Sequence, residues 1–321
     1  MRRLSLIGTL LAIALAGGAH AGDWPTRPIS LVVAFPPGGF ADITARPLAQ
    51  PLGRLLGQAV VVENRGGAGG AVGNALVARA RPDGYTLLMA LSSIAVIPEA
   101  ERLAGRPVPY EMAQFAPIAL IAAEPNVILV RPEAPWRDIG ALIADAKARP
   151  GRISFSSSGV NGVIHLAVEV MAHAAGVRFL HIPYQGGGPS MNALLAGEVD
   201  FTSQSPSVAR PHVLAGKARA LVTTGSERAA SFPDVPTLKE QGIDTEYVFW
   251  AGLFAPAGTP PEVLARLRAA AREAVEDAAF ANAMAAMGTP VRYLDGPPFE
   301  DFVAAETTRL GDVVRRIGKL E

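Results

Sequence analysis

The chain has 321 residues, half of them apolar, with 29 basic groups balancing 29 acidic ones and no cysteine. A neutral balance leaves no basic surplus for nucleic acid or anionic lipid, and the missing cysteine excludes disulfides, thiol redox chemistry and a thiol nucleophile. The length allows a large core and is a prior for two domains.

Met1-Arg2-Arg3 precedes an apolar run over 4–16, then Gly17-Gly18 and the small-residue triplet Ala19-His20-Ala21. This reads as a secretory signal cleaved after Ala21, because a run of about 13 apolar residues falls short of the roughly 20 that span a bilayer. Cleavage would remove Arg2 and Arg3, leaving 27 basic against 29 acidic groups and a mature charge of about −2.

Residues 29–35 are an apolar, β-branched run broken by Pro36-Pro37-Gly38-Gly39, a buried strand entering a turn. Helical spacing over 41–56 stops at Gly57. A strand at 60–62, a glycine-rich loop at 66–73, a helix at 72–80 and a strand at 85–90 complete an alternation that implies a parallel sheet covered on both faces. Beyond Phe115 come strands at 118–122 and 127–130, an amphipathic helix at 139–149, and a strand at 153–156 that breaks at Ser156-Ser157-Ser158-Gly159. A helix at 163–175, a strand at 179–182, Gly186-Gly187-Gly188-Pro189 opening a helix at 190–196, and strands at 199–202 and 220–223 follow. A strand at 249–254, a long helix at 261–287 opened by proline and Glu262, and a helical tail at 298–317 close the chain. The pattern is two α/β domains, with the C-terminal helices packing back on the first.

Two turns stand out. At Gly38-Gly39-Phe40-Ala41-Asp42 a strand hands over to a helix, where open backbone N–H groups at the positive helix end suit an anion; a tight turn with Asp42 capping the helix is the alternative. Ser158-Gly159-Val160-Asn161-Gly162 repeats the arrangement in the second half, so the two turns would form a pincer for a ligand with acidic ends, at the strand ends where α/β sheets bind ligands.

Other motifs read differently. The glycines at 66–73 come close to a dinucleotide fingerprint, but the third is one residue late and the loop follows the second strand, so a flexible turn with close helix packing is the reading. Ser158 and His165 are the only nearby nucleophile–base pair, and no Gly-x-Ser-x-Gly occurs. His165, His173 and His181 are evenly spaced, but eight residues along one helix separate side chains by about 12 Å, too far to share an ion. His165 would line the cleft at a helix start or be a satisfied polar group. Trp250 and Tyr184 serve equally as pocket walls or as core.

Trp24-Pro25-Thr26-Arg27-Pro28-Ile29, the 35–39 turn with Asp42 and Ala45-Arg46, Val61-Val62-Glu63-Asn64-Arg65 with Gly67-Ala68-Gly69-Gly70, and Pro82-Asp83-Gly84-Tyr85 resemble the Bug family, the substrate-binding receptors of tripartite tricarboxylate transporters. Ser157-Ser158-Gly159, His165-Leu166, Ile182-Pro183-Tyr184, Leu194-Leu195-Ala196-Gly197, Asp234-Val235-Pro236-Thr237 and 255–260 continue the resemblance in order across the mature chain. It implies a two-lobed, type II-like periplasmic binding protein fold, each lobe a mostly parallel sheet flanked by helices, with lobe one at 22–122 plus 222–321, lobe two at 123–221, and hinge closure on a ligand in the cleft. It further implies carboxylate binding by Gly38, Gly39, Ala41 and Asp42 from one loop and by Ser158, Gly159, Asn161 and Gly162 from the other, with Ser92, Tyr184 and Gln204 as walls.

Three departures bear on the ligand. Phe40 follows the paired glycines where relatives often have a small residue or proline, Ile164 stands where serine or threonine is common, and neutral Gln204 replaces a common aspartate. The last argues against an amino-acid ligand, and together they favour a partly apolar carboxylate, aromatic or branched. The expected function is a monomeric periplasmic receptor for a small organic mono- or dicarboxylate, serving membrane transporter subunits, with no cofactor, metal, nucleic-acid partner or catalytic step. The alternative is a sensing subunit that signals to a membrane two-component system.

Overall fold

The computed structural model describes residues 24–317, so the secretory signal expected at the start of the chain lies outside the described residues. In the first half, β1 (Ile29–Val33) pairs in parallel with β2 (Val60–Asn64) and β3 (Thr86–Leu91), and α1 (Phe40–Leu56) and α2 (Ala71–Ala78) make the crossovers. α3 (Ile97–Leu103) follows, and β4 (Phe115–Pro125) leads directly into β5 (Val127–Val130). The middle of the chain alternates α4 (Ile139–Ala148), β6 (Ser154–Ser157), α5 (Val163–Ala175), β7 (Leu180–Pro183), α6 (Gly187–Ala196), β8 (Phe201–Gln204), α7 (Pro206–Leu214) and β9 (Arg219–Thr223). β10 (Val248–Pro256), α8 (Pro261–Glu276), α9 (Ala278–Met287), β11 (Val291–Asp295) and α10 (Gly296–Ile317) complete it.

The strands form two sheets, β11-β4-β10-β3-β1-β2 and β7-β6-β8-β5-β9. Four strands of each point one way; β10 and β11 oppose them in the first sheet and β5 in the second. The alternation of strands and helices therefore gave the common direction but not the mixed pairing. That pairing arises because the chain leaves the first sheet and returns to it, inserting β10 between β3 and β4.

Only Asn126 separates β4 from β5, so one extended segment passes between the sheets, and the return runs from β9 to β10. Thr224 ties the two passages together. Its N–H donates to Asn126 O (2.9 Å) and its carbonyl accepts from Tyr247 N–H (2.7 Å), while its Oγ1 accepts from Asn126 N–H (2.8 Å) and donates to Tyr247 O (2.6 Å). Backbone joined so tightly at a two-strand passage can bend there while the sheets on either side stay rigid.

Strand periodicity builds the second lobe's core on both sides of its sheet. Ile128 and Val130 join one buried cluster and Val127 and Leu129 the other, as alternating side chains must; each fully buried aliphatic side chain contributes about 1.5–3 kcal/mol. The first lobe's cluster also takes in Val163, Ile164, Leu166, Ala167 and Val170 of α5, so apolar surface is buried between the lobes.

The helix expected at 261–287 is two helices. Asp277 interrupts it in extended conformation, and its carboxylate accepts from Ala279 N–H (2.9 Å) to start α9. α3, α7 and β11 were not anticipated: Pro206 and Pro211 disguise α7 as a loop, and β11 is a short edge strand with two exposed residues.

Candidate functional site

Four strand-to-helix handovers, β1 to α1, β6 to α5, β7 to α6 and β8 to α7, converge on one cavity of about 20 Å³. Gly39, Phe40 and Ala41 come from the α1 start, Ser158, Val163 and Ile164 from the β6–α5 turn, Gly187 from the α6 start, and Gln204, Ser205 and Val208 from the β8–α7 turn. Asn126 at the hinge, with Phe35, Leu91 and Phe249, completes the lining. The space is that of about one water, so a larger molecule enters only when the lobes part.

Charge in this cavity comes from backbone alone. α1, α5 and α6 follow Gly39, Gly162 and Gly186, none of which supplies a side-chain cap. The N–H groups of their first two helical residues have no acceptor within the helix and lie at the positive end of its dipole. α7 differs, since Ser205 Oγ accepts from Val208 N–H (3.3 Å). No Lys, Arg, Asp or Glu is among the lining residues. Two lining side chains have buried polar atoms without a partner: Asn126 through Nδ2 and Oδ1, and Ser158 through Oγ.

Behind the cavity lies a carboxyl group. Glu124, 1% exposed, accepts from Ser207 Oγ (2.8 Å), and Ser207 Oγ lies 3.0 Å from Ser205 Oγ on the lining. Burial raises its pKa to about 8 against the opposing pull of the Ser207 and Ser205 hydrogen bonds, so Glu124 is neutral below that pH.

Of the residues expected to bind ligand, Gly39, Phe40, Ala41, Ser158, Ile164 and Gln204 line the cavity. The others have different places. Gly38 is left-handed (φ 82°) and exposed, and its N–H donates to Asp42 Oδ2 (3.0 Å). Asp42 is buried and also takes hydrogen bonds from Arg46 Nε (3.0 Å) and Asn64 Nδ2 (2.8 Å), which outweigh burial and lower its pKa; it shapes the turn. Ser92 is buried with Oγ 3.5 Å from Tyr247 OH, while its neighbour Leu91 reaches the lining. Tyr184 lies half-buried outside the cavity and donates to Glu198 Oε2 (2.8 Å).

His165 is also elsewhere. It is buried, accepts from Asn161 N–H at Nδ1 (3.1 Å) and stacks on His181 at 3.8 Å between ring centroids. Burial first, and His181 second, push its pKa well down, so it is neutral. Ser158 and His165 therefore form no nucleophile–base pair, and no group of three or more His, Cys, Asp or Glu able to hold a metal occurs among the described residues. Trp250 faces the core, donating to Glu306 Oε2 (3.1 Å), whereas Phe249 lines the cavity and meets Phe40 edge-on at 4.7 Å between centroids.

Glycines let the lobes touch. A Cβ on Gly39 would lie 3.9 Å from Gly187 N, so helix starts of opposite lobes face each other. Gly159 and Gly162 pack on Gly69, where φ is +65° and a Cβ would come within 2.6 Å of Val160 O. Asn161, left-handed at φ 61°, sits in the same contact and donates to Glu101 Oε1 (3.4 Å). The glycine-rich loop at 66–73 thus contacts the opposite lobe. Gly73 provides the close helix packing read from the sequence, since its Cβ would meet Ala34 Cα at 2.6 Å.

A family model described as "Tripartite tricarboxylate transporter family receptor" matches residues 44–319. BugT of Bordetella pertussis is 37% identical over 322 residues, covering 99% of this chain and 98% of that protein. The solved periplasmic binding protein BugD superposes with a TM-score of 0.85 at 33% identity, covering 92% of this chain and 98% of that one. Two Rhodopseudomonas palustris structures are similar at 30% identity. MatC with bound malate has a TM-score of 0.82 and covers 90% and 99% of the two chains; Rpa4515 with adipate has 0.84 and covers 92% and 98%.

Proposed function

The chain belongs to the tripartite tricarboxylate transporter receptor family, and from that premise we propose that it captures a small, partly apolar organic carboxylate and delivers it to membrane transporter subunits. The family consists of periplasmic solute-binding receptors rather than enzymes, and the chain shares their two-lobed α/β fold. The observation that carries the reading is the convergence of three uncapped helix starts on a cavity whose lining has no charged side chain.

A carboxylate there accepts hydrogen bonds from first-turn N–H groups of α1 on one side and of α5 and α6 on the other. Its body lies against Phe40, Phe249, Ile164 and Val208. Malate and adipate, the ligands in the two Rhodopseudomonas palustris structures, are small organic acids of the kind this arrangement suits. The lobes, parting close to the expected boundaries at 122 and 222, would turn about Asn126 and Thr224, sealing the ligand as Gly69 meets Gly159 and Gly162. The receptor would act as an exported monomer, its signal removed after Ala21.

A thermal-shift screen of protein unfolded and refolded to strip bound ligand, against organic acids, amino acids, sugars and nucleotides, tests the reading. A ligand at 100 times its Kd adds about 2.7 kcal/mol of stability. Stabilisation confined to carboxylates is expected; stabilisation by sugars or nucleotides alone contradicts it.

A further inference from the structure

Asn126 has a role that the helix starts leave unfilled. Its backbone is committed to Thr224 at the hinge, yet its side chain is 0% exposed, the residue lines the cavity, and neither Nδ2 nor Oδ1 has a partner. Buried polar groups are rarely left so, and a partner entering the cavity relieves the cost.

The amide presents a donor and an acceptor side by side, in either orientation of the group. An ionised carboxylate satisfies the donor and repels the acceptor. An ammonium satisfies the acceptor, leaves the donor unmet, and needs a counter-charge that no lining residue supplies. A hydroxyl both accepts and donates, so it answers both atoms. We propose that Asn126 is a specificity residue that reads a hydroxyl on the ligand, making hydroxycarboxylates the preferred class; this rests on the carboxylate reading above.

Calorimetric titration of refolded protein with two matched pairs, malate against succinate and 2-hydroxyisovalerate against isovalerate, tests it. At least one hydroxylated acid is expected to bind about tenfold or more tightly than its partner, because a site built to hydrogen-bond a hydroxyl rejects the analogue lacking it. In Asn126→Leu that preference should fall to within about twofold, with the unhydroxylated acid still bound. Should Asn126→Leu fail to fold, Asn126→Ser replaces it, with the preference expected to shrink. Equal binding within both pairs in the unaltered protein, or a preference that survives the substitution, overturns the proposal and leaves the carboxylate reading standing. Silence with all four acids while other carboxylates bind overturns the proposal alone; no binding by any carboxylate overturns both.

Discussion

Three helices that begin at the cleft and two that begin away from it meet the same requirement in different ways. α4 starts at Asp138, whose carboxylate accepts from Ala141 N–H (2.8 Å), and α9 starts at Asp277, which accepts from Ala279 N–H (2.9 Å) and Phe280 N–H (3.4 Å). α1, α5 and α6 start after glycine and cap nothing. An aspartate at the start fills the helix's own anion site, whereas a glycine leaves that site for another molecule. Three such starts facing one cavity make a receptor for negative charge without fixing a positive side chain inside it.

Placing a cleft-type start under the rule of the remote ones gives the largest expected effect. Gly39 has φ −89° and ψ 171°, the extended conformation of a capping residue, and a Cβ there meets nothing closer than 3.9 Å. Gly39→Asp should fold normally and bind carboxylates more weakly by about 1.5–3 kcal/mol, roughly 10- to 150-fold, through lost charge-assisted hydrogen bonds. Calorimetry with the acid that stabilises the protein most is the check. Undiminished affinity in a folded variant would break the comparison.

Glu124 sharpens it, because a neutral carboxyl behind the cavity spares the open amides a competing charge. Its folded pKa of about 8 lies above the ordinary 4.5. The folded form therefore holds a proton that the unfolded chain has released, and stability, greatest below pH 4.5, is lost as pH rises through 8. Between pH 6 and 8 the loss should be about 2 kcal/mol. Urea unfolding at both pH values should show this loss in the unaltered protein and lack it in Glu124→Gln, where His165, held neutral by burial, leaves stability level or rising with pH; an equal loss in both would contradict the assignment.

The contact at Gly69 tests whether closure matters to capture. Gly69→Val puts a Cβ within 2.6 Å of the opposite lobe's Val160 O, so the lobes should stay apart and Kd rise about tenfold, ~1.4 kcal/mol. Small-angle scattering should show no ligand-induced compaction in the variant. The smallest effect belongs to a remote start: Asp138→Ala should lower stability by about 1 kcal/mol and leave carboxylate affinity unchanged.

Much of this was legible in the sequence, and the exceptions have physical causes. Residues 127–130 and 163–175 are bounded as observed, because an uninterrupted aliphatic run and a glycine-flanked amphipathic run leave little freedom at their ends. The two turns that meet in the cleft were found from glycine placement. Phe249 goes unmarked in the sequence and Trp250 stays open between wall and core because both are buried, so hydrophobicity alone cannot say which strand face meets the cavity. Asn126 goes unmarked because a single polar residue between two apolar strands reads as a link; only the topology places it at the passage between the sheets and in the cavity lining. Asp42 and Tyr184 were misplaced because their partners, Asn64 and Glu198, are fixed by tertiary contact.

The most direct test is an amide ¹⁵N–¹H NMR titration with the carboxylate that raises the thermal midpoint most. The account predicts that the N–H signals of Gly39, Phe40, Ala41, Val163 and Gly187 move on binding while those of Gly140 and Ala141, at the Asp138-capped start of α4, stay in place. Binding that left the cleft signals still and moved residues elsewhere would contradict capture by open helix starts.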